Sequence, residues 1–497
     1  LANPPELSEA PVPRISQTLM TRYTVKHFAT LDCGRGCPFK CSFCTVINVQ
    51  GRRMRYRSVD AVINLIRQNY QRHKISFYFF TDDNFCRNKN WEDLLDAFIK
   101  LREVEKIPLL FMIQVDTRSH LIPNFVEKAA RAGCEQVFIG MESLNEENLK
   151  AVEKTQNNTD EFKRLIEAYH KAEIVTHLAY IIGFPFDSVE SVRKDMQRLR
   201  NDLGAQQASF FMLTPLPGSM DYVDMVKKGI PVDADLNNYD SFHETFRHGR
   251  MKPGEWLGVY KEAWTQFYSV ENMKAILKNT TPRKYWGVFM NFIWYKNSFQ
   301  VEEGHPMVHG LVRLRNRFER RPGYPIEGRW IYFKRRVREL SKMLSGWIKL
   351  ALEMEEVWLA TRRRTPLEER VVFEMDRFQK RAQGWRNLRL PEVMVLYRRA
   401  AIFVQERYKG SNFPPIRVPS AFQLWLNKWN VFADSLMFTR KPINQFWRKT
   451  WEKFKQGRVH QINYLRLLFT GLRESVIFSR FILAIINYIK PIVPARR

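Results

Sequence analysis

Cysteine is missing from most of this chain, since none follows residue 134 in a sequence of 497 residues. Of the six that are present, four fall within the 12 residues that end at Cys44. A disulfide framework spreads its cysteines over the fold, so this distribution argues against one and favours thiolate ligands of a metal in the reducing cytoplasm. The six are Cys33, Cys37, Cys41, Cys44, Cys86 and Cys134.

Long hydrophobic runs are missing too. Residues 1–20 contain no apolar core of the kind that a secretory signal needs, and no stretch reaches the roughly 18 apolar residues of a membrane span. A cytoplasmic protein is therefore expected. Residues 1–25 are proline-rich and begin with Leu1, which is typical of an interdomain linker, so we expect further sequence upstream.

Acidic residues are scarce in the second half of the chain. Residues 251–497 hold 47 Lys and Arg against 20 Asp and Glu, whereas residues 1–250 hold 33 against 32. Almost all of the net charge of +28 therefore belongs to the second half. A basic surface of this size favours an anionic partner such as nucleic acid, anionic lipid or a phosphorylated substrate.

Strand-like and helix-like segments alternate in the first half. Apolar runs rich in β-branched and aromatic residues are separated by amphipathic segments of helical length. This pattern predicts an α/β fold in which a parallel sheet forms a partial (β/α)6-type barrel over residues 26–250, with its chemistry at the C-terminal ends of the strands. The apolar runs are 27–32, 75–82, 108–115, 136–143, 175–184 and 207–214, and the helical segments are 59–72, 91–104, 122–132, 159–171 and 189–203.

Residues 251–497 differ in character from the segment before them. They contain 12 of the 13 Trp residues, mixed with Arg and Lys in long helix-compatible stretches. We expect a mostly α-helical, basic accessory region with a loop near residues 410–419. Three interpretations of its charge remain open: an interfacial helix on an anionic membrane surface within residues 463–497, the solvated face of a helical domain, and, less favoured, an RNA-binding surface.

The first strand is followed by LDCGRGCPFKCSFC, in which Cys37, Cys41 and Cys44 are spaced Cys-x3-Cys-x2-Cys. Three thiolates on a tight loop can hold three irons of a 4Fe-4S cluster and leave the fourth iron open for a substrate or cofactor. The alternative is a zinc site that uses Cys33 as fourth ligand. Structural zinc sites usually combine two separate cysteine pairs, and the sequence has no second pair.

This motif, with an aromatic residue at Phe43, resembles the hallmark of the radical S-adenosylmethionine (SAM) superfamily. The resemblance implies a 4Fe-4S cluster that reductively cleaves SAM to methionine and a 5′-deoxyadenosyl radical, which abstracts hydrogen from a substrate. It also implies an external reducing partner such as flavodoxin or ferredoxin. Gln114 on the third strand, and His177 and Tyr180 on the fifth, are candidates for contacting the substrate.

The ends of the later strands extend the resemblance over residues 20–230. The carboxylates of TDDNF would accept hydrogen bonds from the methionine ammonium group, and the carboxylate of GMES would accept them from two ribose hydroxyls. An Asp-Asp helix cap and ordinary strand-end turns are the structural alternatives. With Phe43, the cofactor-binding residues that the resemblance implies are Asp82, Asp83, Asn84, Glu142, Gly183, Phe184 and Pro215.

Within the superfamily, the chain is most similar to the proteins that carry a cobalamin-binding domain before the barrel. That domain's Asp-x-His-x-x-Gly signature does not occur in this sequence. Cobalamin is therefore left open as a third cofactor. The resemblance favours a methyltransferase-like enzyme acting on a small or lipid-like substrate, by methylation or rearrangement. An RNA-modifying radical SAM enzyme and a non-enzymatic metal-binding protein are the alternatives.

Overall fold

A computed structural model describes most of the first 362 residues and one helix near the C-terminus. The chain forms two compact units, Leu1–Thr361 with Tyr488–Arg497, and Arg362–Asn487. The residues that the structure describes are 6–8, 10–11, 15–22, 27–306, 317–318, 323–362, 450, 452–454, 456 and 464–489. The loop expected near residues 410–419 lies outside them.

Strands and helices alternate in the first unit as expected. The strands are β1 (Phe28–Leu31), β2 (Gly34–Arg35), β3 (Arg55–Tyr56), β4 (Phe77–Phe80), β5 (Leu110–Val115), β6 (Cys134–Glu142), β7 (Val175–Ile182) and β8 (Gln207–Met212). The helices are α1 (Gln17–Arg22), α2 (Val46–Val49), α3 (Val59–His73), α4 (Trp91–Glu103), α5 (Phe125–Ala132), α6 (Glu146–Ala151), α7 (Phe162–Lys171), α8 (Val189–Arg198), α9 (Met220–Lys227), α10 (Glu255–Phe267), α11 (Val270–Lys278), α12 (Pro282–Lys296) and α13 (Arg329–Thr361). A last helix, α14 (Tyr464–Ile489), begins in the second unit.

Six strands form one parallel sheet in the order β1-β4-β5-β6-β7-β8, while β2 and β3 form a separate antiparallel pair. Each strand of the large sheet therefore pairs with the next one along the chain. Connections between neighbouring parallel strands are right-handed as a rule, and a sequential strand order then places the connecting helices on one side of the sheet. The α/β fold with its six parallel strands is confirmed, and so is a helical region after it, within the residues that the structure describes.

Aromatic side chains attach the helices to the outer face of the sheet. Phe98 of α4 stacks on Phe80 of β4 at 5.2 Å between ring centroids and meets Phe111 of β5 at 5.5 Å. In α3, Asn69 donates a hydrogen bond to the Tyr78 hydroxyl at 3.2 Å. Because successive side chains of a strand point to opposite faces, Phe79 and Met112 belong to the inner, concave face.

The N-terminal ends of β6, β7 and β8 are covered on the inner face by α12. There, Asn291 donates a hydrogen bond to Gln207 at 2.8 Å, and the Tyr295 hydroxyl lies 3.3 Å from Nε2 of His177. Gln136 contacts both Gln207 (3.1 Å) and Nδ1 of His177 (3.0 Å). These polar groups satisfy one another, as buried polar groups must.

The compact unit continues past residue 250. Trp256 of α10 donates to the Ile182 carbonyl at 2.9 Å, and the Tyr260 hydroxyl donates to the Phe210 carbonyl at 3.2 Å. After α10, the Tyr268 hydroxyl reaches the Ala208 carbonyl at 2.5 Å. Helices beyond the predicted boundary therefore complete the barrel, whereas the division into a linker (1–25), a barrel domain (26–250) and an accessory domain (251–497) stays a prediction.

Candidate active site

The three cysteines of the motif lie on a loop whose two ends are joined by the β2–β3 pair. Gly34 pairs with Tyr56 and Arg35 with Arg55, so the loop enters and leaves at neighbouring points. At its start Gly36 has φ 96°, and a Cβ atom there would lie 2.8 Å from the Arg53 carbonyl oxygen. The close approach of the two chain segments therefore requires glycine at this position.

The thiols of this loop are buried to different degrees. Cys41 is buried, and Cys37 and Cys44 are partly buried. Burial raises the pKa of Cys37, and it raises the pKa of Cys44 to about 11. The Cys41 thiol influences both electrostatically, and Gln156 Nε2 lies 3.7 Å from its sulfur. Thiolates at these positions need a compensating positive charge, which a metal supplies.

The donor chemistry of this loop fits an iron–sulfur cluster, because soft thiolate ligands favour such clusters. Among the residues that the structure describes, no three His, Cys, Asp or Glu side chains form a group that could hold a metal ion. The assignment of Cys37, Cys41 and Cys44 as ligands thus rests on their spacing and chemistry and stays a prediction. Cys33 is fully buried, and its thiol pKa is raised by burial.

The two carboxylates that follow β4 bind the backbone of the cysteine loop. Asp82 accepts a hydrogen bond from the Cys33 N–H at 2.7 Å, and Asp83 accepts one from the Gly36 N–H at 2.8 Å. Burial raises the pKa of Asp82 to about 7, although the Cys33 N–H favours the charged form. The structure thus gives both residues a contact that the sequence did not predict, while their role toward the SAM amine stays a prediction.

Asn84 belongs to a buried network on the same side of the loop. Its side chain donates to Asp116 at 2.9 Å, and Arg87 binds the same carboxylate through two nitrogens at 2.6 and 2.9 Å. Arg87 also lies over the ring of Phe39 in the cysteine loop, 5.8 Å from its centroid. This ion pair, which connects β5 to the loop, was not foreseen from the sequence.

Glu142, the last residue of β6, is held by a lysine. Lys154 Nζ lies 2.6 Å from Glu142 Oε1, and both side chains are about one-tenth exposed, at 10% each. Glu142 has φ 67°, a left-handed conformation that is uncommon for a residue with a side chain. The same ammonium group lies 5.8 Å from the ring centroid of Phe43, so Glu142 and the cysteine motif meet at Lys154. Sequence reasoning missed Lys154, which follows a short polar helix.

The end of β7 brings two further predicted residues close to this group. The Phe184 ring lies 5.7 Å from that of Phe43 in an edge-to-face arrangement. Gly183 has φ 113°, and a Cβ atom on it would collide with the Trp256 ring. Asp187 accepts hydrogen bonds from the N–H groups of Gly183 (2.7 Å) and Phe184 (3.0 Å), which fixes the turn. The structure therefore explains the glycine by the packing of Trp256.

The remaining candidates are scattered. Gln114 donates to the Asp82 carbonyl at 3.0 Å, which places it beside the cysteine loop on the inner face. Pro215 is buried just after β8. His177 lies in the α12 network at the opposite ends of the strands. Tyr180 faces the helix layer instead of the barrel interior, where its hydroxyl donates to Asp195 of α8 at 2.5 Å.

A scan against protein-family models matches residues 31–199 to the radical SAM superfamily. This interval holds the cysteine motif, β2 to β7 and every predicted site residue except Pro215. This part of the chain is a radical SAM domain. The assignment made from the motif is confirmed, and with it the expectation of a 4Fe-4S cluster and SAM as the cofactors of the family.

Relatives of this radical SAM chain include methyltransferases. Bacteriochlorophyllide d C-12(1)-methyltransferase of Chlorobaculum tepidum is 29% identical over 53% of this chain and 55% of its own length. Anaerobic magnesium-protoporphyrin IX monomethyl ester cyclase of Rubrivivax gelatinosus is 24% identical over 59% of each chain. The chain thus spans little more than half the length of these relatives. Among solved structures, the radical SAM methyltransferase TsrM of Kitasatospora setae, bound to tryptophan and a SAM analogue, aligns with a TM-score of 0.40 at 19% identity over 53% of this chain and 54% of its own.

Proposed function

We propose that the chain is a methyltransferase-like radical SAM enzyme with its reaction centre at the C-terminal ends of the barrel strands. The observation that carries the proposal is the convergence of Phe43, Glu142 and Phe184 beside the loop of Cys37, Cys41 and Cys44. A four-iron cluster bound there would supply the electron for reductive cleavage of SAM. The electron itself would come from a low-potential donor such as flavodoxin or ferredoxin.

The protein's own groups have distinct tasks in this proposal. Glu142 is positioned by its left-handed backbone conformation to accept hydrogen bonds from the ribose hydroxyls, once it is released from Lys154. Asp82 and Asp83 hold the backbone of the cysteine loop and stand next to the place where the methionine ammonium group would bind. Phe43 and Phe184 exclude water from the same place, which protects a reactive radical from side reactions.

A largely apolar, lipid-like substrate fits the inner face of the barrel. Phe77, Phe79, Met112 and Phe138 share this face through the strand register and are only partly buried, whereas their neighbours on the outer face are buried. The two relatives described above are named for bacteriochlorophyllide and for a magnesium-protoporphyrin ester. Both observations support a methylation or rearrangement of a hydrophobic molecule over one of RNA. Cobalamin would serve as methyl carrier if an upstream domain holds it.

The test of the proposed function is the release of 5′-deoxyadenosine. The chain is purified anaerobically, loaded with iron and sulfide, reduced with dithionite and supplied with SAM. We expect 5′-deoxyadenosine and methionine in equal amounts from the intact chain and none from Cys41→Ala. If the chain is a non-enzymatic metal-binding protein, neither the intact chain nor Cys41→Ala will form either product. That outcome would overturn the proposal.

A second proposal concerns the basic region, where α13 offers a specific observation. Its first two-thirds exposes a stripe of large apolar side chains, flanked by Lys334, Arg338 and Lys349. An exposed apolar stripe beside basic residues favours an anionic membrane surface, with each cation contributing about 1 kcal/mol. The exposed apolar residues of the stripe are Trp330, Phe333, Val337, Leu344 and Ile348.

Docking of this kind is peripheral in geometry. Of the helices in the described ranges, none combines the length and hydropathy that crossing a membrane requires. The C-terminal segment 463–497 is described only from Tyr464 to Ile489, where it forms α14. Co-sedimentation with anionic and neutral vesicles, with and without competing RNA, tests the proposal. Salt-sensitive binding to anionic vesicles that is lost in Phe333→Glu supports it, and binding to RNA alone contradicts it.

A further inference from the structure

Lys154 is a buried charge that neither the family match nor the sequence motif explains. It lies three residues after α6, and its side chain is 10% exposed. Its ammonium group contacts two partners. Lys154 Nζ lies 2.6 Å from Glu142 Oε1 and 5.8 Å from the centroid of the Phe43 ring. Gly140 makes room for the pair, since a Cβ atom there would lie 2.7 Å from Glu142 Oε1 and 3.0 Å from Lys154 Nζ.

The segment that carries Lys154 is attached to the cysteine loop on both sides. The Val152 carbonyl accepts a hydrogen bond from the Ser42 N–H at 3.1 Å, and the Gln156 amide reaches the Cys41 sulfur at 3.7 Å. Lys154 thus stands between two residues that touch the motif.

A purely structural ion pair is a weak explanation for this arrangement. Burying two charges costs several kcal/mol of desolvation per ion, and well-packed apolar residues often stabilise a fold as much. The barrel already contains such a pair at the other end of β6, where Lys284 binds Glu135. Lys154 differs from Lys284 because its ammonium group lies over Phe43 of the motif and its chain segment contacts Cys41 and Ser42.

We propose that Lys154 is a charge-compensating residue for the iron–sulfur cluster, whose ammonium stabilises the reduced state and whose effect is moderated by Glu142. The inference rests on the proposed function, because it assumes the cluster on Cys37, Cys41 and Cys44. A four-iron core of charge +2 with three thiolates has a net charge of about −1, which becomes about −2 when one electron arrives from an external low-potential donor. No proton or bond changes in this step. A nearby cation favours the added negative charge, and a nearby carboxylate opposes it.

The test is an equilibrium redox titration of the cluster in the full chain without SAM, followed by absorbance and electron paramagnetic resonance. We expect Lys154→Met to lower the equilibrium constant for reduction at least tenfold, which is about 59 mV for one electron. We expect Glu142→Gln to raise the same constant. Lys154→Arg keeps the cation and should stay near the original value.

Lys284→Met is the matched control, because it removes a buried lysine paired with a glutamate at the opposite end of the same strand. It should leave the cluster potential unchanged. Shifts of the same sign in Lys154→Met and Glu142→Gln, or no shift in either, would overturn the inference. If Lys154→Met fails to retain iron, the Glu142→Gln variant alone tests the inference. A higher equilibrium constant for reduction supports it, and an unchanged or lower one overturns it. Iron and sulfide analysis of the unmodified chain separates this result from a failure of the proposed function, in which no protein holds a cluster.

Discussion

The polar groups at the two ends of the barrel differ in how far they are paired with one another. At the N-terminal ends of the strands, Gln136, His177 and Gln207 pair with one another and with Asn291 and Tyr295 of α12. At the C-terminal ends, partly buried thiols have raised pKa values, and Glu142 adopts a left-handed conformation. Polar groups that bind one another stabilise a fold. Residues with a strained backbone or a shifted pKa instead cluster where a protein binds a cofactor.

The largest expected effect is loss of the cluster, and it should depend on which end is changed. Cys41→Ala should remove essentially all of the roughly four irons per chain, because the cluster loses one of three protein ligands. Cys134→Ala, at the start of β6, should retain them. Iron and acid-labile sulfide are measured after anaerobic purification. A full complement of iron in Cys41→Ala would contradict the assignment of the cluster to the C-terminal ends of the strands.

The affinity for SAM should depend on Glu142 and not on its counterpart at the other end of β6. Loss of a charge-assisted contact costs about 2 kcal/mol, or roughly thirtyfold in Kd. We therefore expect Glu142→Ala to weaken SAM binding by that factor in calorimetry on cluster-loaded protein. Glu135→Ala is the control, since Glu135 pairs with Lys284 away from the thiols. Equal affinities for the two variants would remove Glu142 from the site.

The N-terminal network should respond to pH through stability. Burial lowers the pKa of His177 to about 3, from an ordinary value of 6.5. Because folding favours the neutral form of this histidine, the unfolded chain takes up the proton first as the pH falls. The fold therefore loses stability below about pH 6.5 and keeps losing it down to about pH 3. At pH 5 this amounts to about 2 kcal/mol. His177→Gln should reduce the difference between the unfolding free energies at pH 7 and pH 5, measured by urea denaturation.

In the same variant, 5′-deoxyadenosine release should persist, because His177 contacts α12 and not the cysteine loop. If His177→Gln lost product formation while its pH dependence of stability stayed as in the unmodified chain, the residue would belong to the reaction centre. The separation between the two ends would then be wrong.

The smallest effect concerns Tyr180, whose hydroxyl binds Asp195 in the helix layer. Tyr180→Phe removes one hydrogen bond from a carboxylate that keeps the Leu144 N–H as a partner, which should cost about 1 kcal/mol of stability. Cluster content and SAM affinity should not change. A change in substrate turnover with unaltered stability would return Tyr180 to the site.

The spacing of the cysteines was sufficient to predict the radical SAM superfamily, and the alternation of strands and helices was sufficient to predict the parallel sheet of six strands. The position of the reactive end stays a prediction. Strand alternation could also have separated Tyr180 from His177, because residues an odd number apart face opposite sides. The role of Lys154 could not be predicted from the sequence. Its burial depends on a contact with Glu142, 12 residues away, and on the space left by Gly140. The packing of α10 on β7 and β8 was hidden in the same way, because the tryptophans after residue 250 read equally well as the core of a separate domain.

We propose that the C-terminal end of the barrel holds a cluster with one iron free for SAM. Mössbauer spectroscopy of the chain loaded with ⁵⁷Fe tests it most directly, with and without SAM. We expect SAM to change the signal of about one iron in four and to leave the other three as they were, because three cysteines supply three ligands. A spectrum in which SAM changes no iron, or a protein that takes up zinc and no iron under these conditions, would contradict it.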